Sequence, residues 1–171
     1  MQTGNVELAS LRQRALRLLA TREHTRAELT RKLSGQATQD DIALVLDALQ
    51  NDGLLSDERF AASYVRTHAA RLGRARLAQT LRAKGVSADL ANHELDSQLN
   101  QDGQSDELER ACLLWARKFG NVPADAREWA RQARFLQFRG FSSEVVRKVL
   151  RDAKLAGDQM DSRVMDEDNQ S

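Results

Sequence analysis

A chain of 171 residues that is 41% hydrophobic and 30% charged has the balance of a folded, water-soluble protein, which argues against both disorder and a membrane core. The formal charge is only +1, and the single cysteine, Cys112, excludes an internal disulfide framework and fits a reducing, cytoplasmic setting. No N-terminal stretch has the basic-then-apolar form of a secretory signal, and arginines interrupt every apolar run before it approaches a membrane span. One proline, Pro123, and an abundance of alanine, leucine, arginine and glutamate predict a nearly all-α protein.

Residues 1–10 are polar and read as a loose lead-in. From Leu11, apolar residues recur at Ala15, Leu18 and Leu19 with helical period, and that helix should end near Arg22. Thr25-Arg-Ala-Glu28 has the form of a capping box, in which Glu28 reaches back to the cap, with Leu29 and Leu33 on one face of the helix it opens. After Gly35, Thr38 opens a third helix whose inner face is Ile42, Val45, Leu46 and Leu49. Gly53 stands where a helix can end in the left-handed conformation. Ser56 is then an N-cap, Asp57 and Glu58 place negative charge on a new first turn, and Leu55 and Phe60 have the spacing of a hydrophobic staple.

The same grammar recurs. Phe60, Ala61, Tyr64 and Val65 line a helix ending near Gly73; Leu77 and Leu81 line the next, which stops at Gly85; Val86-Ser87 restarts a third with Leu90, Leu95 and Leu99 inward. Laying Thr25–Leu29 over Gly73–Leu77 pairs Leu29 with Leu77, Leu33 with Leu81 and Ile42 with Leu90 at a constant offset. After the polar break Asn100–Ser105 come Leu108, Ala111, Cys112, Leu114, Trp115 and Phe119 on one helix, then Trp129, Ala133 and Leu136 on another. Gly140-Phe141-Ser142 repeats Gly85-Val86-Ser87, and Val145, Val149 and Leu150 line the last helix. The expected architecture is all-α: three tandem three-helix repeats, 11–55, 56–100 and 104–155, forming an elongated, curved helical array, with an acidic, disordered tail at 156–171.

Charge is distributed unevenly. Arg59, Arg66, Arg71, Arg74, Arg76, Arg82 and Lys84 follow one another with no acid between Glu58 and Asp89. Unpaired guanidinium groups repel one another, so an anionic partner is the simpler account than a solvated face. Arg74 and Arg76 stand at a helix start, where the dipole disfavours them, and read as contacts to phosphate or carboxylate. A second patch comprises Arg131, Arg134, Arg139, Arg147, Lys148 and Arg151 with Arg127, diluted by Glu128 and Glu144.

Read together, Arg14–Arg22, Thr25–Leu33, Gly53-Leu-Leu-Ser-Asp57-Glu-Arg-Phe60-Ala61, Leu81-Arg-Ala-Lys-Gly85 and Arg134-Phe135-Leu136-Gln-Phe-Arg-Gly140-Phe141-Ser142 resemble the RecX family of regulators of the bacterial recombinase RecA. The resemblance spans roughly residues 11 to 154. It implies a non-enzymatic modulator, mostly an inhibitor, that lodges in the groove of the RecA–DNA filament. There it would limit filament growth, ATP hydrolysis and strand exchange, with weak, sequence-independent contact with DNA. Gln137 and Phe138 stand where that resemblance implies a more basic pair.

Other chemistries fit less well. His24, His68 and His93 fall in different repeats without ligands at metal spacing, no phosphate-binding Gly-rich loop is present, and serines read as helix caps, so neither metal, cofactor nor small-molecule substrate is expected. Cys112 lies on an apolar face and reads as core rather than nucleophile. Phe60, Tyr64, Trp115, Trp129, Phe135 and Phe141 have the spacing of core aromatics, and Phe138 is the exception best placed to face outward. Thr25–Leu55 also has the outline of the helical half of a winged helix, making a helix-turn-helix transcriptional regulator the second reading; a helical scaffold is the third.

Overall fold

The computed structural model describes the backbone of residues 3–99 and 105–167, and the side chains of 7–99 and 107–155. Among these are nine α-helices: α1 (Thr3–Leu19), α2 (Arg26–Leu33), α3 (Gln39–Asn51), α4 (Asp57–His68), α5 (Arg74–Ala83), α6 (Ala88–Leu99), α7 (Ser105–Lys118), α8 (Ala126–Phe138) and α9 (Ser143–Glu167). The sole β feature among the described residues is an isolated bridge between Ser34 and Ala37. The all-α expectation holds.

The chain gathers into two compact units. One holds residues up to Thr67 together with Ala78–Gln98, and the other holds His68–Leu77 together with the chain from Leu99 onward. The stretch expected as the middle repeat, 56–100, therefore contributes to both. In the first unit, Leu11, Ala15, Leu29, Leu33, Ile42, Val45, Leu46, Leu49 and Leu55 form one buried cluster. In the second, Ala111, Ala133, Leu136, Phe141, Val146, Val149 and Leu150 form another.

The caps form as the sequence predicts. Thr25 Oγ1 accepts from the Glu28 N–H at 3.0 Å, Thr38 from Asp41, Ser56 from Arg59, Ser87 from Leu90 and Ser142 from Val145. Leu55 and Phe60 are both buried, as a staple requires. Gly53 and Gly140 take φ of 70° and 90°, left-handed turns that end α3 and α8. Because α4 begins at Asp57, a helix stands where a winged helix would place its hairpin.

Several expectations are corrected. The helix α1 starts at Thr3, inside the stretch read as a lead-in; Leu8 packs against the first core, which gives those residues a reason to be helical. The tail is helical to Glu167, since Ser143–Glu167 is one continuous helix that no proline interrupts; side chains from residue 156 and the last four residues lie outside the described set. The polar break is likewise undescribed from 100 to 104. Leu29, Leu33, Leu77 and Leu81 are all fully buried, yet the caps Thr38 and Ser87 are one residue out of register with them. Ala91, not Leu90, therefore takes the inward position of Ile42. On α9, Val146 is buried while Val145 is only half-buried.

On α8 the inward position belongs to Gln132, 2% exposed, which accepts from Trp115 Nε1 at 2.7 Å and donates to the Asn121 carbonyl at 3.2 Å. Trp129, read as core, is 42% exposed. A buried amide hydrogen-bonded through both its oxygen and its nitrogen is tolerated in a core, so an apolar periodicity search passes over it. Phe138 is 75% exposed, in agreement with its expected outward position.

Candidate anion-binding site

The basic residues singled out in the sequence do not share one environment. Arg59 and Lys84 are engaged within the first unit. Arg59 Nε lies 2.9 Å from Glu23 Oε1, and its terminal nitrogens donate to the carbonyls of Gly53 and Leu54. Lys84 Nζ lies 2.7 Å from Glu28 Oε1 and 5.6 Å from the centre of the Phe60 ring, while its carbonyl accepts from Thr25 Oγ1 at 2.6 Å. Instead of reaching back to its own cap as a capping box would, Glu28 binds Lys84, Arg22 at 3.0 Å and His24 at 3.2 Å. Burial alone would push the Glu28 carboxyl up, but the hydrogen bonds from Lys84 and Arg22 bring it down to about 2. His24, 2% exposed, is lowered from its ordinary range by burial and then by Arg22. Asp57 contributes structure as well as charge: its Oδ1 accepts from the Arg26 N–H at the start of α2, 2.7 Å away. Arg82 donates through Nε to the Ala78 carbonyl, and Arg66 is exposed with no hydrogen bond or ion pair among the described residues.

The premise that nothing in the chain neutralises the run from Arg59 to Lys84 is therefore corrected at its two ends, Arg59 and Lys84. The acids come from far upstream in sequence, where a local charge count misses them. At Arg74 the acid comes from downstream: the backbone N–H donates to Glu107 Oε1 at 3.0 Å, so a carboxylate from α7 sits at the N-terminus of α5, whose own first turn carries no acid. Arg76 has its guanidinium 5.8 Å from the centre of the Phe138 ring.

Arg71 differs. It follows α4 in a turn closed by N–H bonds from Arg71 and Leu72 to the His68 carbonyl. Two residues on, the Gly73 N–H donates to the Arg139 carbonyl at 2.9 Å, and the backbones of Gly73 and Gly140 approach so closely that a Cβ on Gly73 would collide with the Gly140 carbonyl. This backbone contact brings Arg71 beside the C-terminal end of α8, where Arg139 is the C-cap. Arg117 and Lys118 end α7, a placement the helix dipole favours. Together Arg71, Arg117, Lys118 and Arg139 line a pocket of about 380 Å³ with Leu114 and Phe135. Phe135 meets Phe119 edge-on at 5.3 Å, and the Arg139 guanidinium lies 5.3 Å from the Phe135 ring centre. No acid among the described residues lines the pocket.

Arg71 from the first basic run and Arg139 from the second thus meet in one pocket, joined there by Arg117 and Lys118, which the sequence pattern does not single out. Their signal is a basic pair in the last turn of α7, and it reads equally as helix capping. Of the second patch, Arg131 pairs with Glu128 at 3.1 Å and lies over Phe119, Arg147 donates to the Ser143 carbonyl, Arg151 sits 3.5 Å from Asp152, and Arg134 and Lys148 are exposed. The half-buried Cys112 thiol is raised by burial and then by Asp152, consistent with its reading as core.

Comparison with known proteins agrees with this architecture. Three family models match in order: the first, second and third three-helix domains of RecX, at residues 12–49, 56–95 and 105–150. The chain is 54% identical over 143 residues to the regulatory protein RecX of Leptothrix cholodnii, covering 83% of this chain and 88% of that one. It is 43% identical over 166 residues to the regulatory protein RecX of Halorhodospira halophila, covering 95% and 98%. A crystal structure of RecX from Lactobacillus salivarius shares the fold, with a TM-score of 0.74 at 22% identity over 88% of this chain and 99% of that one. The chain belongs to the RecX family of regulatory proteins.

Proposed function

We propose that this protein is a modulator, chiefly an inhibitor, of a RecA-type recombinase. It binds the groove of the recombinase–DNA filament and limits filament growth, ATP hydrolysis and strand exchange by contact rather than by catalysis. The observation that carries this reading is the run of three RecX domain matches in order from 12 to 150. The acid-free pocket of Arg71, Arg117, Lys118 and Arg139 supports it, because four cations around an aromatic floor offer a seat for a carboxylate or phosphate of the filament. Arg74 and Arg76 stand in the first turn of α5, just after the turn that carries Arg71, and extend the same contact. Several modest contacts on one chain give avidity without a deep pocket.

The test is DNA-dependent ATP hydrolysis by RecA with increasing amounts of this protein, at two salt concentrations. Hydrolysis slows, and slows less at the higher salt. A rate unchanged at equimolar protein and RecA would overturn the reading. With Arg74→Glu and Arg76→Glu combined, inhibition weakens; full inhibition by that variant removes these two residues from the contact.

A further inference from the structure

A second surface of the second unit has a different chemistry. A cleft of about 650 Å³ lies between the start of α8 and one side of α9, lined by Pro123, Asp125, Trp129, Leu150 and the cations Arg147, Arg151 and Lys154. It shares no residue with the Arg71 pocket. Trp129 is 42% exposed there, an unusual state for the largest apolar side chain in a helix whose inward position is taken by Gln132. The three cations are spaced i, i+4 and i+7, so they form one stripe spanning about 10 Å along α9.

Within the chain these cations are lightly engaged. Arg147 uses Nε for the Ser143 carbonyl, and Arg151 uses Nε for Asp152 at 3.5 Å. Their terminal nitrogens, and Lys154 Nζ, have no partner among the described residues. The acid in the cleft, Asp125, is occupied as the N-cap of α8, accepting from the Glu128 N–H at 2.7 Å. Glu128 itself accepts from the Ala124 N–H and pairs with Arg131.

We infer that this cleft is a binding site for single-stranded nucleic acid, with one unpaired base stacked on Trp129 and the flanking phosphates on Arg147, Arg151 and Lys154. An aromatic face beside a row of cations is the combination that tracks an unpaired strand without reading its sequence. A duplex keeps its base faces stacked on one another and cannot offer one to the indole. A lone nucleotide would be held by cations converging on one point, whereas these run along a helix. The inference goes beyond the proposed action on the recombinase, and its test omits that partner, so either can fail without the other.

The experiment is fluorescence anisotropy of a labelled oligothymidylate titrated with the full chain at low salt. The oligonucleotide binds, and Trp129→Leu weakens binding roughly 5- to 100-fold, the loss of one base–aromatic stack. Trp129→Phe, which restores a π-face, recovers most of it; a packing role would be served as well by leucine. In Trp115→Phe, where Trp129 is the only tryptophan left of the 2 in the chain, its emission falls on saturation with the oligonucleotide. Equal affinity of wild type and Trp129→Leu, unchanged Trp129 emission, stronger binding of a duplex of the same length, or full competition by equimolar free thymidine nucleotide or by a polyglutamate peptide would each overturn the inference.

Discussion

Two groups of cations, one in each compact unit, are treated in opposite ways. In the first, Lys84 and Arg22 converge on the buried Glu28, Arg59 meets Glu23 and Arg12 meets Asp52 at 2.9 Å. In the second, Arg71, Arg117, Lys118 and Arg139 gather around Phe135 and Leu114 with no acid among them. One run of basic residues in the sequence thus divides into cations that hold the fold and cations left for a partner. What sorts them is whether a distant segment delivers a carboxylate, so net charge along the chain says little about which residues bind.

The largest effect expected from breaking this arrangement lies in its backbone. Gly73→Ala would place a methyl group against the Gly140 carbonyl and strain the Gly73 N–H bond to Arg139, at a position that is itself buried. Neither group is the flexible end of a side chain. The variant is expected to lose about 3 kcal/mol in urea denaturation, the upper range for overpacking. Recombinase inhibition should fall with it, because Arg71 would no longer sit beside Arg139. Wild-type stability in Gly73→Ala would mean that the turn carrying Arg71 is not fixed by this contact.

Next in size is the Glu28 cluster. Lys84→Met leaves an 8% exposed carboxylate with only Arg22 and His24 as partners, and about 2 kcal/mol of stability should be lost. The pH dependence has a definite sign. The Glu28 pKa is lowered from 4.5 to about 2 on folding, so its stabilisation is complete above pH 4.5 and is lost as the pH falls toward 2. That loss amounts to at most about 3 kcal/mol. His24 is also lowered, from 6.5, so the unfolded chain takes up its proton first and stability begins to fall as the pH drops below that value. Denaturation midpoints measured from pH 7 to pH 3 should decline in wild type and decline less steeply in Glu28→Gln.

The sequence made the helices and their caps legible because those signals are local: Thr25, Thr38, Ser56, Ser87 and Ser142 each cap the helix they precede. The resemblance carried by Gly53–Ala61 and Arg134–Ser142 pointed to the family. What stayed hidden depends on contacts between residues far apart in the chain. Glu23, Glu28 and Glu107 reach Arg59, Lys84 and the Arg74 N–H from 36, 56 and 33 residues away. Trp129 and Gln132 exchange their expected places because the buried amide finds two partners, one of them on α7. The pocket was half legible: Arg71 and Arg139 stood out as members of separate patches, and only the Gly73–Arg139 bond brings them together.

A sharper test of the pocket leaves the fold intact. Arg71→Glu, Lys118→Glu and Arg139→Glu together should change stability by less than about 1 kcal/mol, since surface charges couple weakly to folding. They should raise the concentration needed for half-inhibition of RecA ATP hydrolysis by about tenfold or more, as expected when several charges facing one partner change sign. The same three reversals should leave oligothymidylate binding at Trp129 within about twofold. A parallel loss of both activities would merge the two surfaces into one.

The smallest predicted difference is the most direct check on how the cations divide. Arg59 and Arg66 lie two turns apart on α4, and both are exposed. Arg59 makes an ion pair with Glu23 and two hydrogen bonds to the carbonyls of Gly53 and Leu54, so it ties α4 back across the turn that precedes it. Arg66 makes no such bond among the described residues. Arg59→Ala should therefore cost about 1 kcal/mol, the value of an exposed pair assisted by carbonyl contacts, and Arg66→Ala should cost almost nothing. The Arg59 loss should shrink in 1 M salt, where the Coulombic part is screened and only the carbonyl bonds remain. If the two variants proved equally stable in urea at low salt, the Glu23 contact would contribute nothing to folding, and Arg59 would return to the residues available to a partner.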